Sequence, residues 1–166
     1  MNVIIKLKMP HEPTPLERIA RDICGIDEKV IEMTNKRHGI DYSFKSNVVA
    51  RPEFTAEYSA RRMPIGFNRA HYSNYDNRPE RQDLTIRDGD RQVLRLYRND
   101  QGPEFYYLAP LTRQVFNHLP AYRQLDISRT RNELKRRGIR QDRQNIDIPV
   151  QGLTEFVNGI IRDYKR

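Results

Sequence analysis

The chain has a single cysteine, Cys24. One thiol cannot close an intramolecular disulfide, and it cannot build a thiolate cage for zinc. Long apolar runs are also missing: none approaches the ~20 consecutive apolar residues that a membrane-spanning helix requires. The opening stretch Met1-Asn-Val-Ile-Ile-Lys-Leu-Lys8 alternates like a strand and lacks the apolar centre of a signal peptide. These absences predict a soluble, cytoplasmic protein with no membrane partner. Short catalytic motifs are lacking as well. There is no Gly-rich loop closed by Lys and Ser/Thr, no nucleophile elbow and no metalloprotease His pair. His11, His38, His71 and His118 are scattered. Asp83, Asp88 and Asp90 come close together, as the carboxylates of a metal-dependent nuclease would. Asp88, however, precedes Gly89 and reads as a turn residue. The expectation is therefore a protein that is no enzyme, with no metal site and no cofactor.

What the chain does have is positive charge, and arginine in particular. The formal net charge is +8, carried by 23 Arg and only 7 Lys. Lysine suffices to keep a surface hydrated. Arginine adds a planar fork that fits phosphates, carboxylates and aromatic faces, so this bias points to recognition of polyanions or acidic protein surfaces. Apolar residues make up 37% of the chain, which predicts a modest core beneath a charged surface.

The charge concentrates between Arg123 and Arg143, where eight Lys and Arg face three acids. Asp126 or Ser128 can cap the start of a helix here, and Gly138 sits where a left-handed terminator belongs. Ile127, Thr130 and Leu134 form a thin stripe able to face a core, which leaves Arg129, Asn132, Glu133, Lys135 and Arg136 pointing elsewhere. Each cation placed on a phosphate releases condensed counterions, so such a surface suits nucleic acid.

Around this stretch the chain reads as α+β. Val3, Ile5 and Leu7 alternate as a strand that stops before Pro10. Thr14-Pro15-Leu16-Glu17 is the start of a helix with a capping box, and Gly25 ends it. Ile26 and Ile31 have the spacing of a hydrophobic staple, predicting a second helix from Asp27 to His38; residues 40–50 then return to alternation. From Arg51 to Asp83 no period is sustained, and aromatics alternate with arginines. This predicts a long irregular arm whose contacts are Arg61, Arg62, Phe67, Arg69, Tyr72 and Tyr75. A meander over about 84–108 follows, turning at Asp88-Gly89 and again at Asn99-Asp-Gln-Gly102. Leu84 and Ile86 share one face with Leu94 and Leu96, while Arg95, Tyr97 and Tyr106 are candidates for the other. Pro110 opens a helix bearing Leu111, Val115, Phe116 and Leu119. After the basic helix come a short extended piece over 144–150 and an amphipathic helix with Leu153, Phe156, Val157, Ile160, Ile161 and Tyr164 on one side. The whole predicts one domain over 1–166: a small antiparallel sheet packed with several helices, with the arm at 51–83.

The order helix, connection, basic helix, extended piece between Leu111 and Val150 resembles a helix-turn-helix or winged-helix arrangement. The phrase Ile127-Ser-Arg-Thr…Glu133-Leu-Lys-Arg-Arg-Gly-Ile139 is similar to many recognition helices, although Pro120 to Leu125 is longer than their usual turn. The resemblance implies a winged-helix-like C-terminal part that binds nucleic acid. The contacts would be Arg123, Arg129, Arg131, Asn132, Lys135, Arg136, Arg137, Arg140 and Arg143, with Arg129, Arg131, Asn132 and Lys135 nearest the bases. The second expectation is a structural or adaptor subunit of a homo-oligomer or larger assembly, such as a viral particle, in which the arm reaches neighbouring subunits.

Overall fold

The computed structural model describes residues 3–6, 13–26, 30–36, 39–62, 81–98, 105–138 and 148–166. Eight strands follow one another across an antiparallel sheet in chain order. They are β1 (Val3–Lys6), β2 (Val30–Lys36), β3 (Gly39–Asn47), β4 (Phe54–Arg62), β5 (Arg81–Asp88), β6 (Arg91–Arg98), β7 (Phe105–Ala109) and β8 (Ile148–Pro149). Helix α1 (Pro15–Cys24) lies between β1 and β2. Helices α2 (Arg113–Asn117) and α3 (Ala121–Arg136) lie between β7 and β8, and α4 (Leu153–Asp163) follows β8. The class is α+β.

Period-two alternation gives the sheet one buried face. Phe54, Ala56, Tyr58 and Ala60 of β4 stand beside Leu84 and Ile86 of β5, then Leu94 and Leu96 of β6, then Tyr106 and Leu108 of β7. Leu84 pairs with Leu96 and Ile86 with Leu94, so these four side chains share one face as expected. A bulge between Ile86 and Arg87 lets β6 bury both Val93 and Leu94. Against this face α1 sets Leu16, Ile19, Ala20 and Ile23, and α4 sets Leu153, Phe156, Val157, Ile160 and Ile161. Helix α4 packs tightly on the α2 end: a Cβ added to Gly159 would stand 3.0 Å from Nδ1 of His118.

The ends of α1 follow the sequence closely. Thr14 Oγ1 accepts from the Glu17 amide at 3.2 Å, Pro15 opens the first turn, and Gly25 closes it at φ 63°. Only half of the capping box forms. The Glu17 side chain, fully buried, turns inward to Arg21 at 3.3 Å instead of back to the Thr14 amide.

Four expectations need correction. Residues 30–36 form strand β2 rather than a helix: Val30, Ile31 and Thr34 are β-branched, and pairing with β1 and β3 on both sides outweighs the staple spacing. Asp27 and His38, its expected ends, lie outside the described residues. The sheet is larger than the 84–108 meander. Residues 54–62 and 81–83, expected in the arm, belong instead to β4 and β5, and 63–80 lies outside the described residues; half of the buried side of β4 is alanine, too weak a signal to show a period. Finally, the two-residue loop of the first hairpin is Gly89-Asp90, with Gly89 at φ 60°. Asp88 is the last strand residue and receives two hydrogen bonds from Arg166, at 2.7 and 3.1 Å.

Candidate nucleic-acid interface

Helix α3 forms because its sixteen residues are mostly strong helix formers with no glycine or proline among them. It starts six to eight residues earlier than a cap at Asp126 or Ser128 would place it, with Pro120 at N-cap, and Gly138 at φ 69° terminates it as expected. Lys135 and Arg136 sit in the last turn, where the helix dipole favours cations. Glu133 pairs with Arg137 at 3.1 Å and with Arg136 at 3.6 Å.

No residue of α3 is buried. The expected stripe is only partly realised: Ile127 packs against the core and Leu134 is half-buried, but Thr130 is exposed and donates its hydroxyl to the Asp126 carbonyl at 3.0 Å. The helix is tethered along one edge. Gln124 donates to the Leu119 carbonyl at 2.9 Å, Arg123 is half-buried, and the Arg131 guanidinium lies 5.8 Å from the Phe116 ring centre. At 100° per residue the opposite ridge carries Tyr122, Leu125, Arg129, Asn132 and Arg136, all exposed. Arg129, Asn132 and Arg136 thus come together on one outward line, whereas Arg123 and Arg131 belong to the tethered edge. Lys135 and Arg137 flank the ridge, and Arg140 and Arg143 lie outside the described residues. Tyr122 and Leu125, which sequence reasoning passed over, are 57% and 52% exposed at the start of the ridge. Their helical spacing was the available signal.

Of the arm contacts, Arg61 and Arg62 end β4, and Arg61 stands opposite Arg81 across the strand pair. Phe67, Arg69, Tyr72 and Tyr75 lie outside the described residues.

The outer face of the sheet holds a second constellation. Arg95 and Tyr97 point to it as expected, but Tyr106 is buried and Tyr107 takes its place, because β7 enters the sheet one residue out of step with that reading. Arg95 donates from Nε and Nη2 to Oδ2 of Asp83 at 2.9 and 2.6 Å, and Thr85 donates to Oδ1 at 2.9 Å. Those bonds to Asp83 raise the Arg95 pKa above its ordinary value. The fixed guanidinium lies 4.5 Å from the Tyr97 ring centre, and Tyr97 lies 5.6 Å from Tyr107 at an interplanar angle of 30°. Beside them is a depression of about 280 Å³ lined by Glu57, Ser59, Asp83, Thr85, Arg87, Gln92 and Arg95. Among the described residues no group of three or more His, Cys, Asp or Glu is placed to hold a metal, and no helix is long and apolar enough to cross a membrane.

Compared with known families, curated proteins and solved structures, the chain matches none.

Proposed function

We propose that the protein is a non-catalytic nucleic-acid-binding protein that presents α3 to a phosphate backbone. The observation that carries this reading is a sixteen-residue helix with no buried residue and a cationic ridge turned to solvent. A helix polar on nearly all sides gains little from the core, which leaves its outer side chains to meet a partner. Arg129 and Asn132 would read base edges in the manner of a recognition helix, while Lys135, Arg136 and Arg137 hold phosphates. Helix α2, ending at Asn117, would be the supporting helix of a winged-helix-like part.

A structural or adaptor role in a larger assembly is the second reading, and a specific observation favours it. Tyr122 and Leu125 are large, exposed and adjacent on the ridge, a small apolar anchor of the kind found in protein interfaces. Absorbance of the purified protein at 260 against 280 nm, together with its mass in solution, separates the two. Co-purifying nucleic acid on a monomer supports the first; a nucleic-acid-free ring or defined oligomer supports the second.

A further inference from the structure

The outer sheet face is built differently from α3. The core side chains of β4 to β7 all alternate to the inner face, where α1 and α4 lie. Outward stand Asp41, Ser43 and Lys45 of β3, Thr55, Glu57, Ser59 and Arg61 of β4, and Arg81, Asp83, Thr85 and Arg87 of β5. Arg95 and Tyr97 of β6 and Tyr107 of β7 complete the face. Across β3 to β7 this surface is polar apart from the two tyrosines and Ala109.

Its charges are unevenly matched. Arg95 is held by Asp83 and Arg61 lies 3.8 Å from Asp41, while Arg81 and Arg87 make no ion pair among the described residues. Arg61 and Arg81 are directly opposed across β4 and β5, and Asp41 lies on the Arg61 side of that pair. Tyr107 is 40% exposed, and among the described residues β8 pairs with Phe105 and Tyr106 of β7. The row Arg95, Tyr97, Tyr107 is thus a prearranged stack on the outer face.

We propose that this face is a second nucleic-acid site, selective for single strands, where unpaired bases stack on the Tyr97–Tyr107 pair and the backbone lies against Arg81 and Arg87. Stacking on aromatic rings beside a cationic track is how sheets hold single strands without reading sequence. Ser59, Thr85 and Gln92 line the adjoining depression and offer donors and acceptors to a base edge. The bases of a duplex are already stacked on one another, so the Tyr97–Tyr107 pair favours a strand whose bases are unpaired. The site uses none of the α3 residues, so it stands whether or not α3 binds a duplex.

Fluorescence anisotropy with labelled oligo(dT) and oligo(U) of about 12 nucleotides tests it. Both should bind the full chain, and Tyr107→Ala should weaken them by about 5- to 100-fold, the range expected for one stacked base. Tyr107→Phe, which keeps the ring, should stay within about twofold of wild type. Independently of aromatic packing, Arg81→Ala with Arg87→Ala should flatten the dependence of log affinity on log salt by about 1.4, or ~0.7 per phosphate lost on a single strand. Equal affinity of Tyr107→Ala and wild type, or no oligonucleotide binding by wild type, would overturn the proposal. So would loss of oligonucleotides in Arg129→Ala/Arg136→Ala alone, which would place single strands on α3 and leave the reading of that helix intact.

Discussion

Cys24 is 7% exposed between α1 and the sheet, and burial pushes its thiol up to about 11. The thiolate is the reactive form, so native Cys24 should resist an aromatic disulfide reagent at neutral pH and react once denaturant opens the core. Fast labelling of the native protein would mean that α1 does not stay docked. Asp88 behaves in the opposite sense. Hydrogen bonds from Arg166 hold its carboxyl below the ordinary range, partly offset by burial. A carboxyl depressed in the folded state stabilises fully above its unfolded pKa of about 3.9, and that contribution disappears as pH falls through the folded value. Wild type should therefore melt above Arg166→Ala at neutral pH, with the gap closing as pH is lowered through about 4. Because Arg166 is largely exposed, solvent screens the pair and the gap should be small. A gap that does not change with pH would show that Arg166 acts through packing instead.

At the scale of elements, what was legible depended on how many neighbours decide the outcome. The start of α1 is decided within four residues, Thr14 to Glu17, and sequence reasoning found it. The meander is decided by its hairpin turn and by Leu84, Ile86, Leu94 and Leu96, and it too was found. Leu94→Ala or Leu96→Ala should cost about 2–5 kcal/mol, measurable by denaturant or thermal melts, since both side chains are buried at the centre of the sheet. Melts unchanged for both would contradict their place in the core. Strand β2 was misread because its helical spacing is local, whereas its two strand partners are not. The two faces of β7 were exchanged for a similar reason: Phe105, Tyr106 and Tyr107 are all aromatic, so only the pairing of Tyr97 with Tyr107 sets which one faces out. The candidate site divides the same way. The cationic composition of α3 was plain, but its tethered edge was not, since the contacts of Arg131 with Phe116 and of Gln124 with Leu119 are made by a neighbouring element.

Over the whole molecule, the described residues separate a buried apolar core from charged outer surfaces. The apolar side chains converge between the inner sheet face and helices α1 and α4. Two polar surfaces are left outside that core, one a helical ridge and the other a sheet face, and each has its own arrangement of arginine and aromatic groups. A net charge of +8 would favour the approach of a polyanion at long range, and geometry at contact would decide between the two proposed surfaces. The most direct test of the central claim is the salt dependence of duplex DNA binding by the full chain, with and without the α3 ridge. About four to six phosphate contacts give a slope of log affinity against log salt near −4 to −5. Arg136→Ala with Arg137→Ala should flatten that slope by about 1.8, at ~0.9 per phosphate, without lowering the melting temperature, because both side chains are exposed. Unchanged affinity and slope in the double variant would show that α3 is a solvated surface, and the account of this protein as a helix-presenting nucleic-acid binder would fail.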